Sequence, residues 1–579
     1  MENFYTVEKN AQILISLMKA HEVKKVVISP GATNICVVQS LQCDPYFEIY
    51  SSVDERSAAY IACGLAEESG EPVALSCTGA TASRNYVPGL TEAFYRKLPI
   101  LAITSTLPIG RISNHFPQVI DRTSPMKDIA KFSVTIPTIH DSEDAWSCNI
   151  ELNKALLELR RNGGGPVHIN LTTNYNKLFN IKKLPETRVI RRVFMNSEFP
   201  VIRSNNIAIF IGAHSKMNAE MCSVLDEFCE KYNAIVTGDN TSGYKGKYWC
   251  NMSFITSQDQ YISPFKTFDL LIHLGEVSGS YLQISPKSVW RVNPDGEIRD
   301  TFKTLTKVFE MEEETFFRYY VNEVENKKEN TLVKEINAEY ERLYNKIPEL
   351  PLSNPWIAKN TINKLPENSV IHFGILNSLR SWNYFNLPKT VYGYSNTGGF
   401  GIDGCVSSLL GASLANSNKL YFGVVGDLAF FYDMNSLGNR HFPKNIRLMV
   451  VNNGCGTEFK IYNHNAAVLG NDADAYTAAV GHYGQQSPKL LKHYAEDLGF
   501  TYISASSKEE YLKNVDFFVS PEMYDRPVIF EVFTDSQDES DAISLINNLE
   551  VSAKGIALDL AKKSLGPQSK NIIKKILGK

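Results

Sequence analysis

The feature that most constrains the fold is a repeated order of sequence patterns. A short apolar run is followed by a turn marked with Gly or Pro, and then by apolar residues at helical spacing. This alternation is typical of parallel α/β sheets, whose crossover connections are helices. It recurs in three successive segments of a 579-residue chain, which is too long for one hydrophobic core. The sequence therefore predicts an α/β fold of three doubly wound parallel-sheet domains in series.

The apolar runs, and the Gly and Pro residues between them, predict where the strands, helices and linkers lie. Residues 56–68 predict a helix that ends near Gly70, and residues 310–345 predict a charged helical stretch. The proline content of 348–351 is typical of a linker. The predicted strands are 26–29, 72–76, 100–104, 207–212, 270–275, 371–374, 420–425, 448–451 and 528–532. The predicted domains are 1–182, 195–345 and 352–565, followed by a basic tail at 566–579.

Charge and composition exclude several functional classes. Lys plus Arg total 59 and Asp plus Glu total 63, so the formal charge is -4 and no basic surface for nucleic acid or an acidic membrane is expected. The sequence has no 18-residue apolar run and no signal peptide pattern at its start. Its ten cysteines form no C-x-x-C pair, which is typical of reduced core residues. We expect a cytoplasmic protein that acts on small molecules.

Two polar motifs follow neighbouring apolar strands of the third domain. Gly426-Asp427-Leu428-Ala429 follows one strand, and Asn452-Asn453-Gly454 follows the next. Open α/β sheets bind ligands at these strand ends. Asp and Asn oxygens suit Mg²⁺, which keeps phosphate oxygens and water as its other ligands, and a helix start offers N–H groups to phosphate. Each motif alone is also an ordinary helix cap or turn, but together they predict a metal–diphosphate site.

This pair of motifs resembles the cofactor signature of thiamine-diphosphate-dependent enzymes, G-D-G followed one strand later by N-N. The resemblance implies thiamine diphosphate and Mg²⁺ as cofactors. It makes 352–565 the diphosphate-binding domain and 1–182 the pyrimidine-binding domain. The implied metal ligands are Asp427, Asn453 and the backbone carbonyl of Cys455, and the implied cofactor contacts are Glu55, Ser378, Ile402, Gly426, Asp427, Leu428, Ala429 and Asn453.

Glu55, within the segment Ser52–Tyr60 of the first domain, is the second sequence feature that resembles this family. A glutamate at a helix start commonly does no more than stabilise the helix dipole. The resemblance implies that Glu55 binds N1′ of the aminopyrimidine and favours the tautomer whose 4′-nitrogen takes a proton from the thiazolium. Glu55 and Gln118 are the predicted catalytic residues.

A longer segment resembles one branch of the family more closely. Residues 394–404 are similar to the N-R-G-x-x-G-I-D-G segment of the menaquinone-pathway synthases, which join decarboxylated 2-oxoglutarate to isochorismate. Leu428 in place of the last glycine of G-D-G, the Ser29-Pro30-Gly31 turn and Gln118 also fit this branch. By this resemblance Ile402 would bend the cofactor, although a core isoleucine would look the same.

The chain departs from that branch at its substrate contacts. The branch grips substrate carboxylates with arginine, whose planar fork pairs with a carboxylate. The matching positions here are Thr33, Leu107, Trp382 and Thr397. We therefore expect a smaller or less charged, pyruvate-like donor, and a flat apolar pocket wall at Trp382. Cations that would replace the missing arginines are Arg84, Arg111, Arg380 and Lys460.

Three functional hypotheses remain at this stage. The first is a carboligase that decarboxylates a 2-oxo acid and transfers the carbanion equivalent to an unidentified acceptor. The second is a simple decarboxylase or an acetolactate-synthase-like enzyme, with His115 and Glu458 as candidate proton donors. The third is a non-catalytic relative that binds the cofactor alone. Because Glu55 and Asp427 lie on different domains, the resemblance implies a homodimer or a dimer of dimers with the site at the subunit interface.

Overall fold

The computed structural model describes residues 4–280, 282–325, 329–557 and 560. The basic tail predicted at 566–579 lies outside the described residues. Among these, 4–198 with 296–310 form one compact unit, and 199–295 with the residues after 310 form the other. The three-domain boundaries stay a prediction.

The first unit is built on one parallel sheet flanked by helices. Its elements in chain order are β1 Tyr5–Thr6, α1 Lys9–Ala20, β2 Lys25–Ile28, α2 Ile35–Gln42, β3 Glu48–Ser51, α3 Glu55–Ser69, β4 Val73–Cys77, α4 Thr81–Asn85, α5 Val87–Arg96, β5 Ile100–Thr106, β6 Phe132–Ile136, α6 Ser142–Glu158, β7 Val167–Thr172, β8 Phe179–Ile181 and β9 Arg191–Val193. The sheet has the order β3-β2-β4-β5-β7-β6, and all its pairs are parallel. Strands β1 and β8 form a separate antiparallel pair.

Helices cover both faces of this sheet, because alternate strand residues point to opposite sides. Val26, Ala74 and Leu101 pack with residues of α1, α2 and α6 in one core cluster. Their neighbours in the same strands pack with α3 and α5 in a second cluster. Both faces of the strands are therefore apolar, which explains why the sequence shows them as continuous runs.

The middle segment continues the α/β order. Its elements are β10 Ile207–Ile211, α7 Ala219–Tyr232, β11 Ala234–Gly238, α8 Met252–Ile255, β12 Thr267–Leu274, β13 Ser285–Val292, β14 Leu305–Phe309, α9 Glu313–Glu323 and α10 Thr331–Tyr344. In the second unit β11, β10, β12 and β13 are neighbours in that order and parallel. In the first unit β14 pairs in parallel with β9.

The last segment of the second unit forms a third parallel sheet. Its elements are α11 Asn354–Thr361, β15 Val370–Phe373, α12 Asn377–Trp382, β16 Tyr392–Ser395, α13 Cys405–Leu414, β17 Tyr421–Gly426, α14 Asp427–Tyr432, β18 Ile446–Asn452, α15 Leu490–Asp497, β19 Thr501–Ala505, α16 Lys508–Phe518, β20 Val528–Phe533 and α17 Ser536–Asn547. The order β16-β15-β17-β18-β20-β19 is all parallel. It follows the same strand permutation as the first sheet.

The structure confirms the predicted α/β class with its three parallel sheets. Gly70 ends α3 in the left-handed conformation, with φ of 65°. The charged helical stretch predicted over 310–345 contains two helices, α9 and α10. Helix α10 is capped by Asn330, whose side chain accepts a hydrogen bond from the N–H of Val333 at 3.0 Å. Within the described ranges, no helix is both long and apolar enough to cross a membrane.

Candidate active site

The carboxyl edge of the third sheet has a topological switch point, where adjacent strands send their connections in opposite directions. Strands β15 and β17 are these neighbours, and Phe373 stands opposite Val424. Ser378, in α12 after β15, is buried, and Asp427 follows β17 directly as the first residue of α14. Gly426 stands opposite Val451, so the end of β18 lies beside Asp427. The fold therefore brings the two sequence motifs to one place.

Asp427 is a buried carboxylate that has backbone donors but no cationic partner. Its Oδ2 accepts a hydrogen bond from the N–H of Gly454 at 3.0 Å. No Lys, Arg or His nitrogen of the described chain lies within 4 Å of it. Burial raises the pKa of Asp427 to about 7, against a lowering by its backbone N–H donors. A divalent cation at this carboxylate would favour the charged form that burial disfavours.

Asn453 places a second oxygen at the same turn. Its Oδ1 accepts a hydrogen bond from the N–H of Cys455 at 3.3 Å, so Asp427 and Asn453 are bonded to two successive amide groups. Gly454 has φ of 74°, which glycine adopts without strain. The turn thus holds a carboxylate and an amide oxygen on successive amide groups, while the carbonyl of Cys455 accepts the N–H of Thr457 at 3.0 Å, so its role as a metal ligand stays a prediction. These hard oxygen donors fit a small divalent cation.

Glu531 supports this turn through hydrogen bonds and was not predicted from the sequence as a site residue. It is fully buried in β20, and its Oε1 accepts a hydrogen bond from Nδ2 of Asn452 at 2.7 Å. Its Oε2 accepts one from the hydroxyl of Tyr502, also at 2.7 Å. Asn452 in turn accepts the N–H of Gly454 on its Oδ1 at 3.3 Å. A lone charge inside the apolar run 528–532 is the signal that identifies such a residue in a sequence.

The other predicted cofactor contacts surround the same edge. Gly426 is the residue before α14, with extended φ and ψ of -73° and 161°. Leu428 is half-buried and Ala429 is buried in the first turn of that helix. Ile402 is half-buried and packs against the core cluster that includes Ala429. The structure thus gathers these residues in one unit, while the proposed wedge role of Ile402 stays a prediction.

In the first unit, Glu55 begins α3. Asp54 caps this helix by accepting the N–H of Ser57 at 2.9 Å, which leaves the half-buried Glu55 side chain free to contact Nδ2 of Asn85 at 3.5 Å. Helix α5 packs closely on α3, since a Cβ at Gly89 would lie 2.4 Å from the Cβ of Ala59. This close packing fixes the start of α3, and with it Glu55.

The turns after β2 and β4 lie together at the carboxyl edge of the first sheet. The hydroxyls of Thr33 and Thr78 are 2.6 Å apart, and Thr33 also donates to the carbonyl of Ser105 at 3.3 Å. A Cβ at Gly31 would lie 2.4 Å from Cβ of Thr78, so glycine is required in the Ser29-Pro30-Gly31 turn. Gln118 is exposed in the loop between β5 and β6 and has φ of 62°.

Comparison with known proteins identifies the family of this arrangement. Residues 8–125 match the family model described as "Thiamine pyrophosphate enzyme, N-terminal TPP binding domain". The 2-succinyl-5-enolpyruvyl-6-hydroxy-3-cyclohexene-1-carboxylate synthase of Bacteroides fragilis is 32% identical over 568 residues, which cover 93% of this chain and 98% of the synthase. The chain belongs to the thiamine-diphosphate-dependent enzymes.

Two further relatives carry the same printed name. The synthase of Bacteroides thetaiotaomicron is 31% identical over 564 residues, which cover 93% of this chain and 98% of the synthase. That of Flavobacterium johnsoniae is 26% identical over 556 residues, which cover 90% of this chain and 96% of the synthase. This thiamine-diphosphate-dependent enzyme therefore matches these synthases over nearly its whole length.

Three of the four predicted replacement cations of this thiamine-diphosphate-dependent enzyme already have side-chain partners. Arg380 forms an ion pair with Glu458, and Lys460 forms one with Asp474. The guanidinium of Arg111 lies 5.0 Å from the ring centroid of Phe116. Because Glu458 is paired with a cation, it is also a poor candidate for the proton donor of a simple decarboxylase.

Trp382 does not form the expected pocket wall. It is 1% exposed and packs against Phe373 in the core, with ring centroids 5.6 Å apart. The expectation of a flat apolar pocket wall at this position is wrong, because the indole lies on the inner face of α12. Thr397 is buried as well, and its N–H donates to the carbonyl of Ser395 at 2.9 Å.

Proposed function

We propose that this protein uses thiamine diphosphate and Mg²⁺ to decarboxylate a 2-oxo acid and to transfer the remaining fragment to an acceptor. Membership of the thiamine-diphosphate-dependent family supports the cofactor. The observation that carries the proposal is the convergence of Asp427 and Asn453 on the turn Gly454–Cys455. This convergence supports the binding of one cation by protein oxygens at the carboxyl edge of the sheet.

The residues of this chain have distinct roles in the proposed reaction. Bound thiamine diphosphate supplies the electron sink that makes loss of CO₂ from a 2-oxo acid possible. Asp427, Asn453 and the Cys455 carbonyl hold Mg²⁺, which neutralises the diphosphate. Glu55 accepts a hydrogen bond at N1′ of the aminopyrimidine and sets which ring nitrogen carries the proton. Ile402, which is half-buried in the loop before α13, supports the cofactor.

We propose a small, pyruvate-like donor rather than a dicarboxylate. The hydroxyl of Thr33 is hydrogen-bonded to Thr78 and Ser105, and Thr397 is buried. The ion pairs of Arg380 and Lys460 reduce the charge that either offers to a substrate. A site that loses a bidentate arginine contact to a buried carboxylate loses on the order of 2–5 kcal/mol of binding free energy. This argues against a donor with a second carboxylate.

The test is CO₂ release from a panel of 2-oxo acids by the full-length protein loaded with thiamine diphosphate and Mg²⁺. We expect turnover of pyruvate or 2-oxobutanoate, faster release when an acceptor aldehyde or ketone is added, and little turnover of 2-oxoglutarate. Asp427→Asn, which removes one ligand charge, is the matched inactive control. Turnover of 2-oxoglutarate with isochorismate at ordinary enzymatic rates would refute the donor assignment. Absence of CO₂ from every acid in the panel would favour the non-catalytic alternative.

We also propose that the active form is a homodimer or a dimer of dimers in the cytoplasm. Apolar side chains near Glu55 support this: Val53 is 81%, Tyr60 48% and Ile61 43% exposed. Gly64, on the same face of α3, has no atom within 4 Å of the position of a Cβ, so this face can accept a close neighbour. Association through this face would cover the apolar surface beside Glu55.

A further inference from the structure

The first unit contains a small cavity whose polar walls are cationic. Its volume is about 40 Å³, and α4, α5, β5, β7 and the loop before β6 contribute its lining. Its polar lining residues are Ser83, Arg84, Tyr86, Thr104, Arg122, Ser124 and His168. None of the lining residues is Asp or Glu. A cavity of this size holds one small polar group rather than a whole substrate.

Arg122 is the unusual member of this lining. Its side chain is 6% exposed, and its Nη2 donates to the carbonyl of Ser105 at 3.1 Å. Its Nε and Nη1 are buried and have no acceptor in the described part of the chain. No carboxylate of the described residues lies within 4 Å of it. Arginine is almost never buried without a partner, because a desolvated charge costs several kcal/mol unless it is paired.

Arg84 adds a second positive charge to the cavity. It is exposed, and its Nη2 donates to the carbonyl of Asp121 at 3.0 Å. Burial lowers the pKa of Arg122, and the charge of Arg84 lowers it further. His168 contributes no charge near neutral pH, because burial lowers its pKa to about 4. Two guanidinium groups line this cavity and none of its lining residues is acidic, although Arg84 also interacts electrostatically with Asp121 outside the lining. The cavity therefore favours an anion.

The position of Arg122 connects this cavity with the turns at the carboxyl edge of the first sheet. The carbonyl of Ser105 accepts hydrogen bonds from both Arg122 and Thr33. A Cβ placed on Gly79 would lie 3.7 Å from Nη1 of Arg122 and 3.2 Å from the carbonyl oxygen of Gln118. Arg122 therefore lies under the loop of Gln118 and beside the turns at the carboxyl edge of the first sheet.

We propose that Arg122, assisted by Arg84, binds a carboxylate of the acceptor substrate. This inference rests on the proposed function. We assign these arginines to the acceptor and not to the donor. The carboxylate of a pyruvate-like donor leaves as CO₂, and a cation bound to that carboxylate would stabilise the ground state before decarboxylation. The acceptor is thus a carbonyl compound or activated alkene that carries a carboxylate, and arginine pairs with that group through charge-assisted hydrogen bonds.

The first test is thermal unfolding of the full-length protein without cofactor at constant ionic strength. Sodium acetate is the probe, and sodium chloride and sodium phosphate are the comparison anions. We expect acetate to raise the melting temperature of the wild-type protein, and Arg122→Gln to abolish this rise. Without added anion, Arg122→Gln should be at least as stable as wild type, because it removes an unpaired buried charge. The exposed Arg96→Gln variant should respond to acetate like wild type.

Several outcomes would overturn the inference. One is a wild-type protein that does not respond to acetate, and this result needs no variant to fold. Another is equal stabilisation by chloride or phosphate, which would indicate an inorganic anion instead of a carboxylate. A third is an Arg122→Gln variant that is less stable than wild type and still responds to acetate, which would indicate a structural arginine.

Kinetics provide a second, independent readout once an acceptor is found. Arg122→Gln should raise KM for a carboxylate-bearing acceptor at least tenfold, whereas Arg122→Lys should recover part of this loss. An unchanged KM would overturn the assignment to the acceptor. The thermal test needs neither the cofactor nor turnover, and the CO₂ test needs no acceptor, so failure of the inference and failure of the proposed function are distinguishable.

Discussion

Replacing Glu531 by alanine should weaken the binding of thiamine diphosphate and Mg²⁺, although Glu531 is none of the proposed ligands. The side chain is fully buried and accepts hydrogen bonds from Asn452 and Tyr502, each at 2.7 Å. The bond to Asn452 holds the residue that precedes Asn453 and that accepts the N–H of Gly454. We therefore expect Glu531 to act as a positioning residue for the metal turn.

The magnitude follows from the contacts that alanine removes. The buried donor of Asn452 and the partly buried hydroxyl of Tyr502 lose their acceptor, and an unsatisfied buried donor costs on the order of 1–3 kcal/mol. The Nδ2 of Asn452 regains a partner only if the turn moves, and that movement opposes metal binding. If about 1.4 kcal/mol of this cost appears in binding, the affinity falls tenfold. Glu531→Gln keeps the shape and one acceptor, so its effect should be much smaller.

The assay is calorimetric titration of thiamine diphosphate into protein with excess Mg²⁺, with circular dichroism to verify that each variant is folded. Tyr502→Phe is the matched control, because it removes one donor to Glu531 and leaves the bond to Asn452 in place. The expected order of affinity is wild type, then Tyr502→Phe and Glu531→Gln, then Glu531→Ala. A folded Glu531→Ala protein with wild-type affinity would refute the positioning role.

Three further predictions concern the first unit. Glu55→Gln should lower the decarboxylation rate by roughly 10²–10⁴-fold while cofactor is still taken up, whereas the exposed Glu68→Gln on the same helix should be neutral; equal rates for both variants would contradict the assignment. Burial lowers the pKa of His168 from its ordinary 6.5 to about 4, so the unfolded state binds more protons between these values and stability is lost as pH falls from 6.5 towards 4. Unfolding at pH 7.5 and pH 5 should show about 2 kcal/mol of this loss in wild type, and His168→Gln should remove that part; identical pH dependence in both proteins would contradict it. Gly64→Leu should shift the protein towards smaller species in sedimentation, and an unchanged distribution would argue against an interface on α3.

Most fully buried strands were predictable, although β11, which is also fully buried, was not predicted. The strands β2, β4, β5, β17 and β18 are covered on both faces, so their sequences are continuous apolar runs. The strands at the sheet edges, β3, β6, β16 and β19, were not predicted. They are only partly buried, and their mixed composition hides them from a search for apolar runs.

Interior polar residues limited the prediction in a different way. Strand β7 is buried throughout but contains His168 and Asn170, which interrupt the apolar pattern. His168 is accommodated because both ring nitrogens lie within hydrogen-bond distance of hydroxyls, Thr104 at 2.8 Å and Ser133 at 2.9 Å. Such pairs form between strands that are distant in sequence, so their mutual satisfaction is visible only in the folded chain.

The candidate site also contains residues that the sequence predicted and residues that it did not. Asp427 and Asn453 were found because two motifs follow two strands, and the parallel register of β17 and β18 then brings the strand ends together. Arg122 was not found, because a single arginine in a loop carries no pattern, and only its burial without a carboxylate makes it unusual. Trp382 was misassigned because its matching position in a motif did not reveal which face of α12 it occupies.

Calorimetric titration of thiamine diphosphate into the wild-type protein, with Mg²⁺ and again with EDTA, decides whether Asp427 and Asn453 form a metal–diphosphate site. These residues meet at a turn without a cation of the described chain beside them, so we predict uptake with Mg²⁺, loss of uptake with EDTA, and loss in Asp427→Asn. Uptake that is indifferent to EDTA, or no uptake in the presence of Mg²⁺, would contradict it.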